Sequence, residues 1–152
     1  MEYRIRNACD ADLDALEALE KSCFSLPWTR EQLRGELPDE RHEFLVAETD
    51  GKLLGYIGMM TVLDEGYISN VAVAPEARRR GIGRALVSEM LRLAEKRALS
   101  FVTLEVRAHN ESAIALYALE GFERVGLRRD YYERPREDAL LMTRFFEQKD
   151  ET

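Results

Sequence analysis

The sequence predicts an α/β domain, helices layered on a mixed sheet, formed by a single body of 152 residues. Three observations predict it. Segments with a two-residue apolar period come first, separated by turns short enough for hairpins, and segments with helical period then alternate with strands. A β-branched run ending at Pro75 also leads, through the loop Arg78-Arg79-Arg80-Gly81-Ile82-Gly83-Arg84, directly into a long helical pattern. Hairpins make antiparallel neighbours and helical crossovers make parallel ones, so the sheet is mixed.

Over Glu2 to Asn7, Tyr3 and Ile5 alternate with Glu2, Arg4 and Arg6, which suits a short first strand. Asp10 or Asp12 is placed to cap a helix whose Leu13, Leu16, Leu19 and Cys23 recur at three- and four-residue spacing. Ser25-Leu26-Pro27-Trp28 breaks that helix. Thr29, with Gln32 three residues on, forms a capping box for a second short helix towards Leu37-Pro38. Trp28, lying between two helices, reads as a core or lid residue or as a wall for a bound molecule.

From Glu43 the period falls to two: Phe44 to Ala47, a turn at Asp50-Gly51, then Leu53 to Leu63. A turn at Asp64-Glu65-Gly66 leads to a strand from Tyr67 to Val73. The helix after the glycine loop carries Ile82, Leu86, Met90 and Ala94 on one stripe, which must lie on the sheet. Ser100 to Arg107 is the next strand, and Asn110 caps a helix running through Glu120 to Gly121. Phe122 to Leu127 and Ala139 to Phe146 complete the sheet around a polar Tyr131-Tyr132-Glu133-Arg134-Pro135 loop. Gln148 to Thr152 reads as a frayed tail, leaving 1–147 as one domain.

At 45% hydrophobic residues, the chain can bury a full core. Its apolar runs fall far short of the roughly 18 residues a membrane span requires, and the first residues are polar and acidic rather than signal-like. A soluble, cytoplasmic protein with no membrane association is expected. Cys9 and Cys23 form no C-x-x-C pair, and His42 and His109 have no zinc spacing, so reduced thiols and no metal are expected. The formal net charge of −7 argues against direct nucleic-acid binding. A basic partner suits that charge, although acids scattered over helix faces also fit ordinary solubility.

The glycine-arginine loop has the makings of an anion cradle, because the first N–H groups of a helix lack intrahelical partners and the helix dipole adds positive charge there. A solvated basic loop capping a helix is the plainer alternative. The loop lacks both the Gly-Lys-Ser/Thr ending and the G-x-G-x-x-G pattern of the common nucleotide loops. On the following strand, Phe101, Thr103, Glu105 and Arg107 share one face and Val102, Leu104 and Val106 the other. Glu105 reads as a general base or as half of a salt bridge. Tyr117 reads as a core aromatic or as a phenol able to protonate a thiolate.

Taken together, Val71-Ala72-Val73-x-Pro75, Arg78-x-x-Gly81-x-Gly83 and Leu104-Glu105-Val106-Arg107-x-x-Asn110-x-x-Ala113-x-x-Leu116-Tyr117-x-x-x-Gly121-Phe122 resemble the GCN5-related N-acetyltransferases. Pro27-Trp28, Arg128-Arg129-Asp130-Tyr131-Tyr132 and Arg136-Glu137-Asp138-Ala139 extend the resemblance to the bacterial ribosomal-protein-alanine N-acetyltransferases within that superfamily. The similarity runs from about Ile5 to Met142, and its specificity lies in the order and spacing of motifs that are individually weak.

The resemblance implies a mostly antiparallel sheet of six to seven strands with about four helices. It implies that the strand ending Val71-Ala72-Val73 splays from its neighbour and binds acetyl-CoA through its backbone. The cofactor diphosphate would be held by Arg78, Arg79, Arg80, Gly81, Ile82, Gly83 and Arg84, mainly through backbone N–H groups, with Asn110 touching the cofactor. By the same matching, Glu105 is the proton acceptor, Tyr117 the proton donor, and Trp28, Tyr131 and Tyr132 flank the acceptor. The implied acceptor is the N-terminal α-amine of a basic ribosomal protein, the N-terminal alanine of small-subunit protein eighteen.

An α-amine is also the easier nucleophile. Near pH 7.5 roughly a third of an amine with pKa about 7.8 is neutral, against about 0.1% of a lysine with pKa about 10.4, a difference of about 3 kcal/mol. A lysine or small-amine acetyltransferase and a non-catalytic acetyl-CoA-binding module remain as alternative readings. The presence of both Glu105 and Tyr117 speaks against the last.

Overall fold

The computed structural model describes residues 2–147; the tail read at 148–152 lies outside them. Seven strands form one sheet, β1 (Arg4–Asn7), β2 (His42–Thr49), β3 (Lys52–Val62), β4 (Glu65–Val73), β5 (Phe101–Arg107), β6 (Glu123–Tyr132) and β7 (Glu137–Phe145), in the order β1-β2-β3-β4-β5-β7-β6. Only β4 and β5 run parallel; every other neighbouring pair is antiparallel. The helices are α1 (Leu13–Cys23), α2 (Arg30–Gly35), α3 (Ile82–Lys96) and α4 (Glu111–Leu119).

β3 is buried almost continuously and β2 from Phe44 to Ala47, as strands covered on both faces must be. Adjacent residues of β3 show which helix covers which face. Tyr56 sends its hydroxyl to Glu20 of α1, whereas a Cβ on Gly55 would lie 3.4 Å from Leu86 of α3. Successive strand residues point to opposite faces, so α1 and α3 sandwich the sheet. Leu16, Phe44, Tyr56, Leu86 and Met90 are fully buried in the resulting core.

Three local expectations change. Asp12 is not a conventional N-cap: its carboxylate accepts the Cys9 N–H at 2.9 Å and is clasped by Arg6 at 2.8 and 2.9 Å, leaving a short 3-10 turn ahead of α1. The turn expected at Asp64-Glu65-Gly66 is formed by Leu63 and Asp64, with Glu65 and Gly66 already inside β4. Gly66 is there for close approach rather than for turning, since a Cβ would come within 3.0 Å of Met59 Sδ and 3.1 Å of Leu99 Cδ1. Finally, β6 continues to Tyr132, so both tyrosines of the expected loop lie at a strand end. Thr29 and Asn110 cap α2 and α4 as read, and Gly121 closes α4 with φ 88°.

Two features of β4 shape the functional region. Opposite β3, Gly58 pairs with Asn70 and Met59 with Ile68, so Ser69 is an extra residue and the strand bulges there. On its other side β4 pairs with β5 only from Glu65 to Tyr67. Beyond Tyr67 the two strands part, while β7 pairs with β5 along its whole length on the opposite edge. The open fork points towards the end of the sheet from which α3 and α4 spring.

Candidate active site

β4 ends at Val73, and a 3-10 turn over Pro75–Ala77 carries the chain into the arginine-rich loop. Arg79 and Gly81 both adopt the left-handed conformation, φ 66° and 78°. For Arg79 this is costly; for Gly81 it is natural, and open space surrounds the position of a would-be Cβ. Ala85 N–H is the first in α3 to reach a helical carbonyl, Gly81 O at 3.0 Å. The N–H groups of Ile82, Gly83 and Arg84 therefore precede the intrahelical ladder, and the twisted loop before them forms a nest for an anion.

The arginine side chains divide their work. Arg78 turns back, its Nε donating to Val73 O at 3.2 Å, and Arg84 pairs with Glu120 at 2.8 Å. Arg79 and Arg80 lie exposed on the loop. The charge around the cradle is thus narrower than four converging guanidinium groups, and the backbone donors carry more of its anion-binding capacity. Along the stretch of β4 that is unpaired with β5, Val71 and Val73 are half-buried and Ala72 is buried. Gly83 sits close to α4, where a Cβ would stand 3.4 Å from Leu116 Cδ1. Asn110 caps α4, its Oδ1 accepting the Ala113 N–H at 3.2 Å.

The polar face of β5 meets the end of β6. Arg128 Nε is 3.2 Å from Glu105 Oε1, so Glu105 is ion-paired, but to a side chain 57% exposed. A hydrogen bond to Glu105, together with burial, holds the Tyr131 phenol above its ordinary pKa. Burial, followed by the negative charge of Glu105, pushes Tyr132 up to about 12. Arg107 stacks its guanidinium 4.4 Å from the Tyr132 ring centroid and donates to Pro135 O and Glu133 O at 2.9 and 3.1 Å, which fixes the turn beyond β6. Tyr117, buried against Phe122, is likewise pushed up to about 12 by desolvation. It also lies near enough to Tyr132 to act on that residue's charge. Glu105, Tyr117, Tyr131 and Tyr132 are therefore one cluster, although they come from three separate elements.

The loop that carries Pro27-Trp28 is tied to the turn beyond Tyr132. Ser25 Oγ donates to Arg134 O at 2.7 Å, tying the α1–α2 loop to the β6–β7 turn across 109 residues of chain. Trp28 is half-buried against the core, and its backbone N–H donates to Glu20 Oε2 at 3.1 Å. Glu20, with Tyr56 and Asn70, was not anticipated from the sequence. The available signal was a charge on the Leu13, Leu16, Cys23 stripe of α1, where apolar residues are expected. The pairing of Arg128 with Glu105 carried no such signal, because their strands, β6 and β5, are joined only through β7.

Comparison with known proteins places these features in a wider set. The model of the acetyltransferase (GNAT) family matches residues 13–122. A ribosomal protein bS18-alanine N-acetyltransferase of Escherichia coli strain K12 is 36% identical over 133 residues, covering 86% of this chain and 89% of that one. The crystal structure of the E. coli ribosomal-protein-S18-alanine N-acetyltransferase superposes with a TM-score of 0.92 at 33% identity, over 99% of this chain and 98% of that one. Arabidopsis thaliana NAA60, solved in complex with acetyl-CoA, shares the fold at a TM-score of 0.87 and 23% identity, over 95% and 99% of the two chains.

Proposed function

The chain belongs to the acetyltransferase (GNAT) family, and from that membership we propose that it transfers acetyl from acetyl-CoA to the N-terminal α-amine of a protein. The N-terminal alanine of ribosomal protein bS18 is the substrate suggested by the E. coli relative. The opening between β4 and β5 beyond Tyr67 carries this reading, because it offers an unpaired stretch of backbone leading from an anion nest to the Glu105 and Tyr117 cluster.

The residues present suit the co-substrate. Backbone N–H groups over 79–84 would take the diphosphate at the start of α3, and Val71, Ala72 and Val73 would line the pantetheine along β4, with Asn110 alongside. Acetyl-CoA supplies an activated thioester. Glu105 accepts the proton of the incoming amine, directly or through water, as the new N–C bond forms. Backbone N–H groups at the fork steady the negative charge developing on the carbonyl oxygen. Tyr117 donates its proton to sulfur as the C–S bond breaks. Its raised pKa keeps that proton in place through the neutral range.

Trp28 on one side and Tyr131 and Tyr132 on the other would form the walls of the acceptor groove. Residues 1–147 act in this reading as one catalytic domain. Among the described residues no helix is long and apolar enough to cross a membrane.

The decisive experiment offers acetyl-CoA together with free-N-terminus peptides, a blocked-N-terminus peptide containing lysine, and small amines, and locates the added acetyl group by mass spectrometry. Acetylation at the α-amine of alanine- or serine-starting peptides is expected. Modification of the blocked peptide at a comparable rate would instead identify a lysine acetyltransferase.

A further inference from the structure

Glu20 is a carboxylate that the proposed chemistry leaves unused, yet it is 1% exposed in the middle of the core. Such burial is expensive unless the charge is fully hydrogen-bonded. Its bonds run to three separate parts of the fold. From β3 the Tyr56 hydroxyl donates to Oε1, and from β4 Asn70 Nδ2 donates to the same oxygen at 3.0 Å. From the α1–α2 loop the Trp28 N–H donates to Oε2 at 3.1 Å. One oxygen is thus held by the sheet while the other holds the loop.

The same helix makes a second connection one turn later. Cys23 Sγ donates to Val73 O at 3.4 Å, the carbonyl that also accepts from Arg78 Nε. Asn70 and Val73 bracket the part of β4 that lies beyond the Ser69 bulge and along the fork. α1 therefore bridges the cofactor-side strand and the loop that carries Trp28, and Glu20 is the only member of the bridge that touches the loop backbone.

We propose that Glu20 is a positioning residue for the acceptor: its buried carboxylate, anchored on β4 through Asn70 and on β3 through Tyr56, sets the place of the Trp28 wall relative to the fork. This rests on the acceptor groove proposed above. The network also determines how damage to it is distributed. Without Glu20, Asn70 Nδ2 keeps the Tyr56 oxygen as an acceptor at 2.7 Å, whereas the Tyr56 O–H loses its own acceptor. The Trp28 N–H loses its partner outright.

The test compares Glu20→Met with Glu20→Gln and Tyr56→Phe. Trp28 is the only tryptophan in the chain, so its fluorescence reports the loop without requiring turnover. For Glu20→Met, the loss of an acceptor for the Trp28 N–H, alongside that for the Tyr56 O–H, should raise the peptide KM about tenfold or more, with kcat within about threefold and acetyl-CoA Kd within about twofold. Trp28 emission should shift to the red. Glu20→Gln, which still presents one carbonyl oxygen to Trp28 while Tyr56 turns to accept from its amide, should restore peptide KM to within about threefold of the parent.

A folded Glu20→Met protein with parental peptide KM and emission overturns the proposal, as does a parallel rise in peptide KM and acetyl-CoA Kd, which would mark a general packing role. If Glu20→Met does not fold, Tyr56→Phe decides. It frees the anchored oxygen while keeping the ring stacked on Phe44, and peptide KM should rise about threefold. No rise would overturn the proposal. A parent enzyme inactive on every free α-amine would reject the functional reading instead, and the emission comparison would still decide whether Glu20 places the loop.

Discussion

Arg128 Nε stands 3.2 Å from Glu105 Oε1, which makes the proposed base also one half of an ion pair. The two roles are compatible because Arg128 is largely in water, where an ion pair is weakly held and easily parted. Its guanidinium also reaches over the Tyr131 ring, 5.9 Å from the centroid, which puts the pair beside one of the residues proposed to wall the acceptor groove.

Substituting each partner separates the roles. Arg128→Ala should change stability by no more than about 1 kcal/mol, as expected for an exposed pair. Glu105→Gln should lower kcat by about 10²- to 10⁴-fold while acetyl-CoA still binds. Equal, small effects of the two substitutions on kcat would reduce Glu105 to a salt-bridge residue.

Tyr117→Phe removes a hydroxyl and leaves a ring packed against Phe122. Acetyl-CoA affinity should persist and kcat should fall by roughly 10²-fold or more. Because burial pushes this phenol up to about 12, its deprotonation should produce no alkaline loss of kcat in the range where enzymes are ordinarily assayed. Turnover within a few-fold of the parent would leave Tyr117 a packing residue.

Gly81→Val tests the nest. The substitution meets no neighbouring atom but forces a β-branched residue to adopt φ 78°. Calorimetry should show a sharp loss of acetyl-CoA affinity in a protein that remains folded by circular dichroism. Normal affinity would move the diphosphate elsewhere.

Acid stability should depend on Arg6. This residue, and then Arg4, hold Glu48 down to about 2, and Arg6 also lowers Asp12. Both carboxyl groups titrate lower in the folded chain than in the unfolded one, where they have ordinary values of about 4.3 and 3.9. Their stabilisation is therefore complete above the unfolded values and is lost as pH falls towards the folded ones. Urea melts of the parent should weaken progressively from about pH 4.5 to 2, and Arg6→Gln should lose less over that window because less is present to lose. Identical pH slopes would show that other groups govern the acid transition.

The sequence by itself determined what depends on neighbours a few residues away. The capping box at Thr29 and Gln32, the Asn110 cap and the turn at Asp50-Gly51 are short-range physics, and each is in the fold. The alternating faces of β5 were equally legible, since strand geometry alone sorts Val102, Leu104 and Val106 from Thr103, Glu105 and Arg107. The family pattern assigned roles to Glu105 and Tyr117 by position.

Only the tertiary structure decided which side chains meet. Glu105 faces Arg128 because β7 enters the sheet between β5 and β6, an order no local signal specifies. Gly66 looked like a turn residue until its close approach to Met59 and Leu99 placed it within β4. Glu20 lies on the apolar stripe of α1, but the donors that let a carboxylate be buried there are 36 and 50 residues away on β3 and β4. Local propensity acts through the backbone of a few adjacent residues, whereas the partners of a buried charge are set by strand order and register, which exist only once the whole sheet has formed.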